Sequence, residues 1–107
     1  MGEPQFLYLT TTGWRSGTPH TIEIWFVAYD GRYFLVSEHR ERSHWVQNIR
    51  HQSAVTLRVG DRSAPELQGM GRIVDPEAEP ELATEVRRQM DAKYEWSDGL
   101  IVELTPR

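Results

Sequence analysis

Leu9 to Gly17, LTTTGWRSG, ends a β-patterned run in a tight glycine turn that carries an arginine and a serine. The run before it, Phe6 to Thr12, and the run after it, His20 to Tyr29, are rich in aromatic and β-branched residues, while Gly13 to Pro19 supplies the turn, so the three predict a first hairpin. Ile22, Ile24 and Phe26 alternate with Glu23, Trp25 and Val27 in the outgoing strand, which predicts a strand covered on both faces. A backbone turn bearing such donors is suited to holding an anion.

Working outward, Asp30-Gly31 is a two-residue hairpin signal leading into a strand over Arg32 to Ser37. Gly60-Asp61 has the same appearance between strands at Ala54 to Val59 and Pro65 to Val74, and Asp98-Gly99 precedes a last strand, Leu100 to Thr105. Two helices interrupt the strands. Ser43 can cap the first, which sets Trp45, Val46 and Ile49 on an apolar stripe with His44, Gln47, Asn48 and His51 at its sides. Asp75 can cap the second, on which Leu82, Val86, Met90 and Tyr94 recur every fourth residue. Six antiparallel strands and two helices define an α+β fold, most economically a sheet curled into a barrel, and the length of 107 residues fits a single domain over 1–107.

Composition narrows the function. A formal charge of −4 argues against nucleic acid, because phosphate neutralisation by Lys and Arg supplies most of that affinity. No apolar run approaches the ~18 residues of a membrane span and no charged-then-apolar leader is present, so the plain expectation is a soluble cytoplasmic protein. Zero cysteine removes disulfides, thiolate catalysis and thiolate metal sites. Four Trp, four Tyr and three Phe are many for this length, which predicts that a planar ligand or a second copy, as a homodimer, completes the aromatic surface.

Basic chemistry is therefore local. Arg15 and Ser16 occupy the first turn, and Arg40, Arg42 and Arg50 with His39, His44 and His51 fall within thirteen residues. Forked guanidinium groups and hydroxyls would hold a phosphate, but a solvated loop and a helix end complemented by Arg50 give the same pattern. His44 and His51 share a helix face, yet no HExxH-type carboxylate accompanies them, and no metal site is expected. GWRSG is not a GxSxG nucleophile elbow, so hydrolase chemistry has little support.

TTTGWRSGTPH and SHWVQNIRHQSAVTLRVG, with a DG hairpin between them, resemble the deazaflavin-dependent nitroreductase and quinone reductase family, whose members share the split β-barrel of the pyridoxamine-phosphate-oxidase-like flavoproteins. The resemblance runs from Leu9 to about Tyr94. It implies a six-stranded split barrel that binds the deazaflavin F-420 in a groove, with FMN as the alternative used elsewhere in the superfamily, and hydride transfer to a small acceptor such as a quinone, an activated alkene or a nitroaromatic. A non-catalytic flavin- or deazaflavin-binding protein is the other class the same residues allow, and haem binding is known among split barrels. By position the resemblance assigns Arg15, Ser16 and Thr21 to the cofactor approach, Ser37 to the strand under the ring, and Trp45 and Asn48 to the helix beside the phosphate-bearing tail. Tyr94 and Trp96 fall where the family places aromatic substrate contacts, and Arg40 and Arg42 join the cofactor set from charge alone. No catalytic acid or base is assigned, since hydride transfer from the cofactor needs orientation and a dry pocket more than proton chemistry.

Three departures accompany the resemblance. Glu38-His39-Arg40 stands where the family often carries a lysine and small glycines, Trp14 replaces the first basic residue of the turn, and the chain starts close to the first strand, which predicts an open site or one covered by a partner.

Overall fold

The computed structural model describes residues 4–107. In chain order the elements are β1 (Phe6–Thr12), β2 (Pro19–Trp25), β3 (Val27–Tyr29), β4 (Arg32–Ser37), α1 (His44–His51), β5 (Ala54–Val59), β6 (Leu67–Ile73), α2 (Pro80–Tyr94) and β7 (Leu100–Pro106), with a 3-10 turn at Arg40–Arg42 before α1. The strands form one antiparallel sheet in the order β2-β1-β5-β6-β7-β4-β3. β2 and β3 stand at opposite ends of that order, yet Phe26 alone separates them in sequence. The sheet must therefore curl until its ends meet, which gives an α+β half-barrel.

Seven strands replace the six expected because the run from His20 to Tyr29 is cut at Phe26. Its N–H is donated to the Tyr94 hydroxyl (3.0 Å) and its carbonyl accepts from that hydroxyl (2.7 Å) and from the Lys93 ammonium (2.9 Å). The end of α2 thus takes both backbone groups that a ladder would have used. Side-chain alternation survives the cut. Phe26 points into the barrel core with Leu7, Leu9, Leu35, Leu57 and Leu104, and Val27 points outward into a second cluster with Phe34, Val36, Val86, Met90 and Ile101 under α2. Coverage on both faces holds at Val27 and fails earlier in β2, where Glu23 is exposed and Trp25 keeps 37% of its surface open.

Several boundaries were displaced by interactions remote in sequence. Asp30-Gly31 makes the two-residue hairpin, both residues having positive φ (55° and 74°) and Tyr29 pairing with Arg32. Gly60-Asp61 does not, because the β5–β6 ladder stops at Leu57 opposite Leu67 while Arg58 and Val59 go on pairing with β1 alone. Asp75 caps only a separate turn, through its bond from the Glu77 N–H (2.9 Å). α2 starts at Pro80 because the proline ring disfavours helical geometry in the residue before it, and Glu79 accordingly lies outside that geometry at φ −130°, ψ 62°. α1 closes the barrel mouth with Val46 and Ile49. Ser43 begins it without a side-chain cap. No helix among the described residues is long and apolar enough to cross a membrane.

Candidate functional site

β2 is an end strand, so one of its edges carries no neighbouring strand, and two hollows open along it. Residues 19–22 wall the first, of about 840 Å³, and residues 23–25 wall the second, of about 570 Å³. Trp45, on the first turn of α1, lines both and makes them one groove. The chemistry of the two halves differs sharply.

The larger hollow is lined by Arg15, Ser16, His20, Thr21, His44, Gln47 and Asn48 among others, and by no carboxylate, in a chain with sixteen Asp and Glu. Its floor is the quoted turn. Gly13 donates its N–H to the Thr18 carbonyl (2.8 Å) and accepts from Gly17 (2.8 Å). A Cβ on Gly13 would lie 2.5 Å from Ser16 Oγ and 2.8 Å from His20 Nε2, so only glycine leaves those donors in place. Ser16 Oγ accepts the Thr18 N–H (3.2 Å) and bonds the Thr18 hydroxyl (2.7 Å), which in turn reaches His20 Nε2 (3.3 Å). Trp14 does more than drop a charge. Its ring stacks on His51 at 4.4 Å and meets the Arg15 guanidinium at 4.4 Å, fixing a cation that has no ion-pair partner among the described residues.

Asn48 is not at the side of α1. It is buried at 4% exposure, donates from Nδ2 to Thr11 Oγ1 (3.0 Å) and accepts the Trp14 N–H at Oδ1 (3.1 Å). The amide bolts the turn to the helix, and its contribution to the hollow is largely one of position.

The smaller hollow is apolar and aromatic, with Phe6, Ile24, Trp25, Val36, Trp45 and Trp96, and it also carries Ser37, Glu23, Glu38 and His39. Ser37 is buried and donates to the Arg40 carbonyl (2.9 Å). Its single proton is used there, so the 2.7 Å contact with Ser43 Oγ has Ser43 as donor. The Tyr8 hydroxyl donates to Glu23 (2.7 Å), and that bond raises the phenol above its ordinary pKa.

Of the residues expected at the site, Arg15, Ser16, Thr21, Trp45 and Asn48 meet in the first hollow, and Ser37, Trp45 and Trp96 in the second. Arg40 and Arg42 lie apart, in a shallow 280 Å³ depression shared with Glu38 and His39, and Arg40 is paired with Asp98 (3.2 Å). Tyr94 lines neither hollow. Its hydroxyl is spent on the Phe26 and Gln5 backbone, and its ring stacks behind Trp25 at 4.5 Å and 4°. Sequence reading passed over His20, Gln47 and Trp25. The signal for Trp25 was its place on the outward face of a strand otherwise apolar on both sides. No group of three metal-ligating side chains occurs among the described residues.

A model of the F420H(2)-dependent quinone reductase family matches residues 1–99. Solved structures share the fold at low identity. HutZ, a heme storage protein from Vibrio cholerae, superposes at a TM-score of 0.78 with 18% identity, over 98% of this chain and 83% of its own. A structure described as an F420 reductase gives 0.67 with 19% identity over 98% and 88%, and an F420-H2 dependent reductase, FDR-A, gives 0.62 with 22% identity over 94% and 93%. No curated protein matches this sequence.

Proposed function

The chain belongs to the F420H(2)-dependent quinone reductase family, a deazaflavin-dependent oxidoreductase family, and on that premise we propose that it binds F420 along the groove beside β2 and reduces quinones. The observation that carries the placement is the division of the groove: an 840 Å³ hollow without a carboxylate joined through Trp45 to an aromatic one. The donor set fits an anionic, phosphate-bearing tail, because Arg15, Ser16, His20 and Gln47 line the hollow and no acid does. Thr21 lies along the wall between tail and ring, and Trp45 divides the two ends. Ser37 holds the strand end beneath the aromatic hollow. Arg40 and Arg42 are outside this set, since Arg40 is committed to Asp98.

When bound, the reduced deazaflavin supplies a hydride to the acceptor. The protein orients the two partners and excludes water with Phe6, Ile24, Val36, Trp45 and Trp96, which requires no acid–base pair. The missing family lysine is replaced functionally by Arg15, held by Trp14, rather than by Arg40. The reading includes a cytoplasmic enzyme acting as a homodimer. Light scattering at micromolar concentration checks the dimer.

The test of the cofactor site is a fluorescence titration with oxidised and reduced F420 and with FMN. Tight F420 binding with turnover of a quinone is expected. Arg15→Glu should weaken F420 by about tenfold or more, the scale of one charge-assisted hydrogen bond lost and a repulsion gained. Unchanged affinity in that variant would remove the tail from this hollow, and a preference for FMN would move the chain to flavin chemistry.

A further inference from the structure

The aromatic hollow differs from its neighbour in sign as well as polarity. Trp25 has one broad contact with Tyr94 at 4.5 Å and 4°, meets Trp96 edge-on at 6.4 Å, and still keeps 37% of its surface open beside the hollow. It is also the last residue of β2, and the next residue, Phe26, has both backbone groups fixed by Tyr94 and Lys93. The indole is therefore set from behind and from the backbone, with an open ring surface that the fold does not cover. Glu23 and Glu38 line the same hollow. The cations near it are Arg40, which is spent on Asp98, Arg42 in the adjoining depression, and Lys93 over the Tyr94 ring, none of which lines the hollow.

We propose that Trp25 is the specificity-determining wall of the acceptor subsite, and that with Glu23 and Glu38 it selects planar, uncharged acceptors and rejects those bearing a sulfonate or carboxylate. This rests on the placement of cofactor and acceptor argued above. Indole faces are electron-rich and two carboxylates share the space, so the fixed charges that line the hollow, Glu23 and Glu38, both repel an anion. The tail hollow has the opposite chemistry, so the groove sorts an anionic tail to one end and a neutral ring to the other. Tyr94 acts through Trp25 and is a positioning residue.

The experiment is a titration of the cofactor-free protein with 1,4-naphthoquinone and with 1,4-naphthoquinone-2-sulfonate, read by quenching of tryptophan fluorescence at low and high salt. At low ionic strength the sulfonate should bind about tenfold more weakly, and the gap should close as salt screens the carboxylates. Glu38→Gln should narrow the ratio severalfold, by strengthening the sulfonate more than the neutral quinone. Trp25→Ala should weaken both quinones, and Trp25→Phe should restore the neutral one in part. Equal affinities for the two quinones, a ratio insensitive to Glu38→Gln, or no saturable binding would each overturn the proposal. F420 affinity, followed separately by deazaflavin fluorescence, reports on the cofactor reading, so the two can fail independently.

Discussion

At the residue scale, the groove depends on a few side chains whose work is to hold backbone. Asn48 ties the Gly13 turn to α1 by two hydrogen bonds, one of them to a main-chain N–H. Asn48→Ala should cost about 1–3 kcal/mol of stability for the bonds left unmade in a buried place, and weaken F420 while the protein still folds. Denaturant unfolding and the fluorescence titration separate the two effects. Gly13→Ala should act on binding more than on folding, because the atoms its Cβ would strike are the ends of two side chains that can swing out of the hollow. Loss of F420 affinity with an unfolding midpoint close to the parent is the expected result; a parent-like affinity would show that Ser16 and His20 do not serve the tail. The resemblance assigned Asn48 to the tail, and the fold places it on the wall of the larger hollow. Its burial was illegible, since an amide between Gln47 and Ile49 reads as a solvated flank of the apolar stripe until a strand threonine and a turn N–H are found opposite it.

At the element scale, α2 does two jobs that its own periodicity announces only in part. The stripe of Val86 and Met90 was legible and packs on β4 and β7 as spacing predicts. Its end was not, because Lys93 and Tyr94 find their partners at Phe26, far away in sequence, and its start at Pro80 carries an ion-pair cluster that periodicity does not announce. At the start, Arg72 from β6 donates to both Glu79 oxygens (2.7 and 3.0 Å) and to Glu103 of β7 (2.7 Å), and Arg32 of β4 also donates to Glu103 (2.6 Å). Glu103 is buried at 4% exposure, so the two guanidinium groups balance a charge that water does not reach. Arg72→Leu leaves it with Arg32 alone and should destabilise by about 2 kcal/mol, less than the full cost of orphaning a buried charge because one partner remains. Urea unfolding measures it, and an unchanged midpoint would mean that Arg32 suffices. Acid should loosen the same helix. Glu79 is held below the usual carboxylate range by its bonds from Arg72, and Glu85 is held at about 2 by those from Arg88 and Gln89. Carboxylates with depressed native pKa values stabilise above their unfolded values and lose that contribution as pH falls through the native ones. The helical circular dichroism signal should therefore melt at lower temperature between about pH 4.5 and pH 2, and Glu85→Gln should flatten part of that dependence.

At the scale of the whole molecule, a half-barrel was legible because turn chemistry and alternation are local. β1, β4 and β5 have the limits their sequences announce. The closure was not legible, because it turns on Phe26, whose ladder bonds are replaced by a lysine and a tyrosine more than sixty residues away. The division of charge along the groove was partly legible, since residues 4–22 and 42–60 contain no Asp or Glu, but their meeting on one wall is a property of the assembled sheet. This division sets the salt dependence of cofactor binding. An anionic cofactor approaches a protein of net charge −4 whose longest dimension is 35 Å. At 0.01 M salt the Debye length is about 30 Å, so the ligand feels nearly the whole negative molecule, whereas at 0.15 M it is about 8 Å and Arg15 with its neighbours dominates. Affinity for F420 should accordingly hold or rise between those concentrations and fall only towards 1 M, where screening of about 3 Å reaches the contacts themselves. Titration across that range reads it directly. A steep, monotonic loss from the lowest salt would require more cation around the tail than Arg15 presents, and would bring Arg40 and Arg42 back into the cofactor site.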